Sequence, residues 1–255
     1  MVGLKEWKEG RSKADAKWDA WDCDIQQIVR DFNVHLNGQG PLNKPLDWKI
    51  VKAMIWTETS PSYPAWNTRP MQIGNEGDPG MRAVLFGIEV INGDNSHISE
   101  TEGTDLILPP VLAKKLTSHS IRTKPLDNIR AGVCYLLARL IGEGGVETNS
   151  VPTSDSKEYT VTVKKGDVLS RLAKEHGTTT EAFKRYLPSN SNPNNLKLGQ
   201  VLTFKKEVYK RSISGWRSPT PETIATRYNW GDTEYAEKLT HSYDIISKRK
   251  TTVCK

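Results

Sequence analysis

The sequence predicts an α+β protein in which a mainly helical part is interrupted by a small segment of mixed strands and helices. Within that segment, residues 158–206 show an alternating strand, two short helices and a last strand. Elsewhere, apolar residues recur at three- and four-residue spacing, as on the buried face of amphipathic helices, over 14–36, 47–60, 80–89, 126–141, 220–228 and 232–247.

The 255 residues suffice for one large domain or two small ones, and their net charge of +6 is concentrated in one segment. Residues 158–206 hold nine Lys or Arg against four Asp or Glu. A basic segment can favour nucleic acid or an anionic cell surface. Because no nucleic-acid-binding signature accompanies it, we expect no nucleic acid partner. No apolar run approaches the ~18 residues of a membrane-spanning helix, so we expect no membrane insertion.

The N-terminal residues and the cysteines bear on the compartment. No apolar stretch follows the first charges, so we expect no secretory signal peptide. We therefore expect the protein to be made in the cytoplasm. Cys23, Cys134 and Cys254 lie too far apart for a dense disulfide framework or a sequence-local zinc site, and we expect neither a metal nor a cofactor. Cys23 and Cys134 both fall in predicted helices. They are either buried thiols or, in an oxidising compartment, a disulfide.

Local signals set the expected boundaries. Asp47 is a suitable N-cap for the second helix, and Pro61 ends that helix near Ser60. The polar stretch 91–108 is predicted to be loop. Residues 143–157 are rich in Gly, Ser, Thr and Pro, and their last part, 151–157, is predicted to be a linker.

The segment EYTVTVKKGDVLSRLAKEHGTTTEAFKRYLPSNSNPNNLKLGQVLTF resembles a LysM module over its whole length. The resemblance implies binding of N-acetylglucosamine-containing glycans such as peptidoglycan and chitin. It places the binding groove at the loop after the first strand and at the loop before the last one. The residues concerned are Gly166, Asp167, Val168, Asn194 and Leu196. Taken singly, each of them is almost as well explained as a turn or cap residue, and Asp167 is the expected cap of the first helix.

The flanking segments carry four ordered motifs that resemble a lysozyme-fold domain, as in soluble lytic transglycosylases and goose-type lysozymes. They are VKAMIWTETS, PMQIGN, NIRAGVCYLLARL and IATRYNWGDTEYAEKL. Because the last motif follows the LysM-like segment, the resemblance implies a discontinuous domain, 1–150 and 207–255, with the LysM module of 158–206 inserted. The alternative is a helical tail beyond residue 207 that packs separately.

The resemblance implies a peptidoglycan-cleaving enzyme whose catalytic acid is Glu58, at the end of the second helix. An apolar setting would raise its pKa enough for proton donation near neutral pH. Tyr228 would donate a hydrogen bond to Glu58, and Asn229 would hold the loop or a sugar. The expected substrate-binding residues also include Thr59, which stands in place of the usual serine, and Met71 and Gln72, which would line the cleft.

A second carboxylate is missing from the expected position. Residues 59–71 contain no Asp or Glu, and Glu76 and Asp78 come only afterwards. Glycosidases commonly use two carboxylates. The pattern therefore favours a lytic transglycosylase that forms 1,6-anhydro products over a hydrolytic muramidase, which is the second hypothesis.

Other classes stay open. The chain could be a catalytically inactive wall-binding protein, a phage lysin, or an antibacterial effector that a type VI-like secretion machine delivers. For the effector we expect peptidoglycan strands, an immunity protein and a secretion-machine component as partners, with action in the periplasm or cell wall of a target bacterium.

Overall fold

The computed structural model describes residues 3–91, 103–189, 191–250 and 254, and its chain divides into two compact units. Unit 1 comprises Met1–Val146 and Ile213–Lys255, and unit 2 comprises Glu147–Ser212. The protein is α+β, as predicted from the sequence. Within the described ranges, no helix is both long and apolar enough to cross a bilayer.

Unit 1 is built from helices. In chain order they are α1 (Leu4–Ser12), α2 (Asp22–Leu36), α3 (Trp48–Glu58), α4 (Pro79–Ile91), α5 (Thr104–Ile107), α6 (Pro110–Ala113), α7 (Ser118–Thr123), α8 (Pro125–Leu140), α11 (Pro221–Arg227) and α12 (Tyr235–Lys248). Helix α8 contacts α2, α4, α5, α7 and α11, and α3 packs against α2 and α12. Most of the buried apolar side chains of this unit form one cluster around these helices.

Two predicted elements differ from the structure. The helix predicted over 14–36 is divided, because the Asp15 side chain accepts a hydrogen bond from Lys17 N and starts a separate short 3-10 helix, Ala16–Asp19. Helix α1 is not predicted, because it buries no residue fully and has no continuous apolar face. In the predicted loop 91–108, Thr104–Ile107 are helical, and residues 92–102 lie outside the described residues.

Hydrogen bonds with Asn128, on α8, hold the loop that follows α3 against the centre of unit 1. The buried Asn128 amide accepts a hydrogen bond from Met71 N (2.9 Å) and donates to Ile73 O (2.7 Å) and Ile121 O (2.9 Å). One turn further along α8, the Met71 side chain lies against Gly132, where a Cβ would come within 2.7 Å of it. Only glycine fits this contact, so the loop can lie directly on the helix.

Unit 2 contains two antiparallel strand pairs and two helices. Strand β2 (Glu158–Thr162) pairs with β3 (Val201–Lys205), and Tyr159 lies opposite Phe204. Helices α9 (Leu169–Glu175) and α10 (Thr180–Lys184) connect them around a small apolar core. Strand β1 (Val146–Pro152) pairs with β4 (Glu207–Ile213). The predicted linker 151–157 thus begins inside a strand, because residues distant in sequence satisfy its backbone hydrogen bonds.

A buried polar network joins strands β1 and β4 to the rest of unit 2. Glu207 on β4 is 5% exposed, lies 3.1 Å from Arg185 Nε and accepts a hydrogen bond from the Ser150 hydroxyl. Its backbone N donates to Thr178 Oγ1 (3.1 Å), which in turn donates to Lys205 O (2.9 Å). The compact unit therefore extends beyond the predicted 158–206.

The one disulfide among the described residues joins Cys23 on α2 to Cys254, whose Cα atoms are 5.4 Å apart. The predicted alternatives for Cys23, a bridge to Cys134 or a buried free thiol, are therefore both wrong. Cys134 is a free thiol on the buried face of α8, where burial raises its pKa well above the usual range. Hydrogen bonds from Cys254 N to Gln26 (3.2 Å) and from Arg30 to Cys254 O (3.3 Å) hold the end of the chain on α2.

Candidate active site

Glu58 is the last residue of α3, and local interactions determine where this helix begins and ends. Asp47 caps its start by accepting a hydrogen bond from Lys49 N (2.9 Å). Thr59 is extended, which ends the helix. Arg11 donates to two carbonyls at that end, Trp56 O (3.1 Å) and Thr59 O (3.4 Å). The free carbonyls of the last turn thus have a cationic partner.

The side chain of Glu58 lines an open cleft of about 360 Å³ in unit 1. All four ordered motifs contribute to its walls, and together they span residues 51–239 of the sequence. The lining residues are Glu58, Met71, Gln72, Ile73, Asn75, Glu76, Gly77, Asp78, Pro79, Tyr135, Tyr228, Asn229 and Trp230.

Burial raises the pKa of Glu58 from 4.5 to about 7. Hydrogen bonds from Tyr235 and Asn229 lower the pKa and so limit the rise, whereas the negative charges of Asp232 and Asp78 add to it. A carboxylic acid with a pKa near 7 is substantially protonated at neutral pH. It can therefore donate a proton and afterwards accept one.

The hydroxyl that holds Glu58 belongs to Tyr235, and the prediction of Tyr228 in this role is wrong. Tyr235 OH donates to Glu58 Oε1 (2.9 Å), whereas Tyr228 OH donates to Met71 O (3.2 Å). Tyr235 is the first residue of α12, which packs along α3, so its ring reaches the end of that helix. Burial raises the pKa of Tyr235 well above 10, so it stays a hydrogen-bond donor.

A sequence signal for Tyr235 exists in the Tyr-x-x-Lys-Leu part of the last motif. Leu239 of that part is buried in the core of unit 1. Lys238 pairs with Asp232 at 2.9 Å. Asp232, a second residue that sequence reasoning missed, is thereby held close enough for its charge to act on Glu58.

The other predicted cleft residues are placed as follows. Asn229 hydrogen-bonds to the Glu58 carboxyl through its side chain, a role more specific than the predicted one. Met71 lines the cleft but is 1% exposed, so its side chain also packs in the core of unit 1. Thr59 is buried outside the cleft lining and caps α3, so the structure gives it no position for sugar binding.

Gln72 lies in the cleft wall with a strained backbone. Its φ of +55° makes it the single non-glycine residue with positive φ in the described part of the chain. Its side-chain amide donates to Arg69 O (2.8 Å). Such a conformation costs an L-amino acid about 1–2 kcal/mol. The surrounding contacts maintain it and direct the residue toward the cleft.

The two acidic residues after the Met-Gln segment differ in their surroundings. Asp78 accepts hydrogen bonds from Gly74 N (2.5 Å), Gly80 N (2.8 Å) and Met81 N (3.4 Å), so its carboxylate shapes the turn that leads into α4. Glu76 is exposed on the cleft wall. Asp78 is half-buried, as Glu58 is, but its carboxylate oxygens are already engaged by backbone amides.

In unit 2, the predicted loop after β2 forms a tight turn. Gly166 has a φ of +82°, which favours glycine. Asp167 accepts a hydrogen bond from Lys164 N (2.7 Å) and pairs with Arg171. The N-cap of α9 is Val168, so the prediction that Asp167 caps this helix is wrong. The Asp167 carboxylate closes the turn before the helix instead.

The predicted glycan-binding positions of unit 2 differ in exposure. Val168 is 53% exposed, and Asn194 is also exposed. Leu196 is partly buried against the core of unit 2. Gly199 N donates to Val163 O (2.9 Å), which brings the chain before β3 alongside the residue after β2.

Residues 161–205 match the LysM domain family, a peptidoglycan-binding family, and this confirms the LysM prediction. LysM domains are typical of extracellular or cell-wall-associated proteins. Comparison with curated proteins and with solved structures gives no match. Among the residues that the structure describes, no group of three or more His, Cys, Asp or Glu side chains is placed to hold a metal ion.

Proposed function

We propose that unit 1 is a lysozyme-like glycosidase that cleaves the β-1,4 bond between N-acetylmuramic acid and N-acetylglucosamine in peptidoglycan. The observation that carries the proposal is Glu58, whose pKa is raised to about 7 in an open cleft. Unit 2 contains a LysM domain, which implies binding to the same polymer. A wall-binding module in the same chain would raise the local concentration of substrate at the cleft.

The chemistry follows from a single protonated carboxyl. Glu58 protonates the glycosidic oxygen as the bond to C1 of the muramic acid breaks, and the substrate's acetamido group stabilises the positive charge at C1. The resulting carboxylate then takes the proton of the muramic acid 6-hydroxyl, whose oxygen bonds to C1. The product is a 1,6-anhydro sugar, and Glu58 is protonated again.

The surroundings of Asp78 support this one-carboxylate route. Three backbone amides hold its oxygens in the turn before α4, so it is poorly placed to activate a water molecule. Tyr235 and Asn229 hold the Glu58 carboxyl in one orientation for both proton transfers. Hydrolysis by a water molecule, which gives a reducing sugar, is the second candidate, because the cleft is open to solvent.

We also propose that the protein acts outside the cytoplasm of the cell that makes it, as an effector delivered to a target bacterium. The Cys23–Cys254 disulfide and the LysM domain both suit an oxidising, wall-containing compartment. A phage lysin is the competing delivery route. A neighbouring gene for an immunity protein with a signal peptide would support the effector, whereas a neighbouring holin gene would support the lysin.

Glu58→Gln tests the enzymatic proposal because it keeps the size and polarity of the side chain and removes the acid. Digestion of purified peptidoglycan should fall at least ~100-fold, which is the usual contribution of a general acid. Glu222→Gln, at an exposed residue of α11 outside the cleft lining, is the matched control and should stay active. Undiminished digestion by the Glu58 variant would refute the assignment. A wild-type protein that binds walls without clearing them would instead be a binding protein.

Mass spectrometry of the released muropeptides distinguishes the two chemical routes. A lytic transglycosylase releases anhydro-muropeptides, which are one water lighter than the products of hydrolysis. Mostly reducing ends would overturn the transglycosylase route and leave the role of Glu58 as general acid intact.

A further inference from the structure

Trp230 stands apart from the other tryptophans of the protein. Its side chain is 82% exposed, more than that of any other large apolar residue in the described part of the chain. The other seven tryptophans are buried or partly buried. Exposing an indole forgoes a large hydrophobic gain on folding, since its ring can bury on the order of 200 Å².

The position of Trp230 relates this exposure to the cleft. It directly follows Asn229, which hydrogen-bonds to Glu58, and both residues line the cleft. A Cβ on Gly231, the next residue, would meet no atom within 4 Å, and the same holds for Gly77, which also lines the cleft. The indole therefore lines the cleft while most of its surface is exposed to solvent.

We propose that Trp230 is a substrate-binding residue whose indole stacks on the apolar face of a hexosamine ring of the glycan strand. The inference rests on the proposed function, because it assigns the substrate of the same cleft. A β-1,4-linked sugar presents C–H bonds on its ring faces and hydroxyl or amide groups on its edges. A flat, electron-rich indole complements such a face, while Gln72 and Asn75, which line the same cleft, can hydrogen-bond to the edges.

Stacking acts on binding and not on proton transfer, which predicts the kinetic effect. Trp230→Leu keeps an apolar side chain but removes the flat surface. It should raise KM for peptidoglycan strands about 5- to 10-fold and leave kcat within about twofold, as expected for an interaction of about 1 kcal/mol. Trp230→Tyr should restore most of the affinity. Val111→Ala, at an apolar residue of α6 that is 60% exposed and outside the cleft lining, should change neither constant.

The distribution of tryptophans allows a binding test that does not respond directly to the LysM domain. All eight lie in unit 1 and none between residues 147 and 212. The full chain carrying Glu58→Gln, labelled with 5-fluorotryptophan, gives ¹⁹F signals from unit 1 alone. The signal missing from the Glu58→Gln, Trp230→Phe protein identifies Trp230. Titration with a soluble β-1,4-linked N-acetylglucosamine hexasaccharide should shift this signal saturably.

Two readouts separate the failure of this proposal from that of the proposed function. A saturable shift of the Trp230 signal in a protein whose wild type digests no peptidoglycan would support stacking and refute the enzyme. A second outcome is that the wild type digests peptidoglycan while the Trp230 signal does not move and the KM of Trp230→Leu is unchanged. That result would overturn the stacking proposal and support the proposed enzymatic function. An unmoved signal without digestion would overturn both.

Discussion

The pKa of Glu58 makes the stability of unit 1 depend on pH, and Glu58→Gln should remove that dependence. In the folded protein this carboxyl has a pKa of about 7, compared with 4.5 when exposed to water. Between these values the folded state holds a proton that the unfolded chain releases. The free energy of unfolding therefore falls as the pH rises from about 4.5 to 7, and the loss is complete above pH 7.

The magnitude follows from the difference between the two pKa values, 4.5 and about 7. Each unit corresponds to about 1.4 kcal/mol, so wild-type unit 1 should lose about 3 kcal/mol between pH 4 and pH 8 through this group. The glutamine of the variant does not ionise. The difference in the free energy of unfolding, Glu58→Gln minus wild type, should therefore be about 3 kcal/mol larger at pH 8 than at pH 4.

Urea unfolding followed by tryptophan fluorescence measures this difference, because every tryptophan lies in unit 1. Glu76→Gln removes an exposed carboxylate from the same cleft wall and serves as the matched control. A stability difference between Glu58→Gln and the wild type that stays constant from pH 4 to pH 8 would refute the argument, because it would mean that Glu58 titrates as an exposed carboxyl does.

Three further predictions follow from single contacts. Tyr235→Phe removes a hydrogen bond that favours the ionised form of Glu58, so the fall of peptidoglycan digestion at high pH should move up by about one pH unit. Gln72→Gly should be about 1 kcal/mol more stable in urea unfolding than Gln72→Ala, because glycine adopts the positive φ without strain. Cys23→Ser opens the bridge to Cys254 and should lower the stability of unit 1 by about 2–5 kcal/mol.

Each of these predictions has a contrasting variant. Tyr228→Phe removes a hydrogen bond to a backbone carbonyl, so a shift of the pH profile equal to that of Tyr235→Phe would contradict the assigned partner of Glu58. Equal stabilities of the glycine and alanine variants at Gln72 would show that its backbone is not strained. Cys134→Ser removes a buried thiol outside the disulfide, so reducing agent should still lower the unfolding midpoint of that variant but leave Cys23→Ser unchanged.

Much of the candidate site could be predicted because it rests on local patterns. Asp47 caps α3 and the helix ends at Glu58, as the capping residue and the following prolines indicate. Gly132 and Asn128 lie in one recognisable motif, and both are needed where the Met71 loop meets α8. The LysM segment is recognisable because its turns and apolar positions recur at defined spacings.

The partners of these residues could not be predicted in the same way. Tyr235 and Glu58 are 177 positions apart, and whether Tyr228 or Tyr235 reaches the carboxyl depends on how α12 packs against α3. Cys23 finds Cys254 because the chain after α12 returns to α2.

The sequence determines the elements that short-range forces control: the α+β class, the helix that presents Glu58, and the LysM segment. Only the tertiary structure decides which tyrosine holds that glutamate, which cysteines join, and that the predicted linker is partly a strand. The physical reason is the separation along the chain over which each interaction acts. Caps, turns and periodicity act over a few residues, whereas burial, pKa shifts and pairing arise from groups that meet only when the chain has folded.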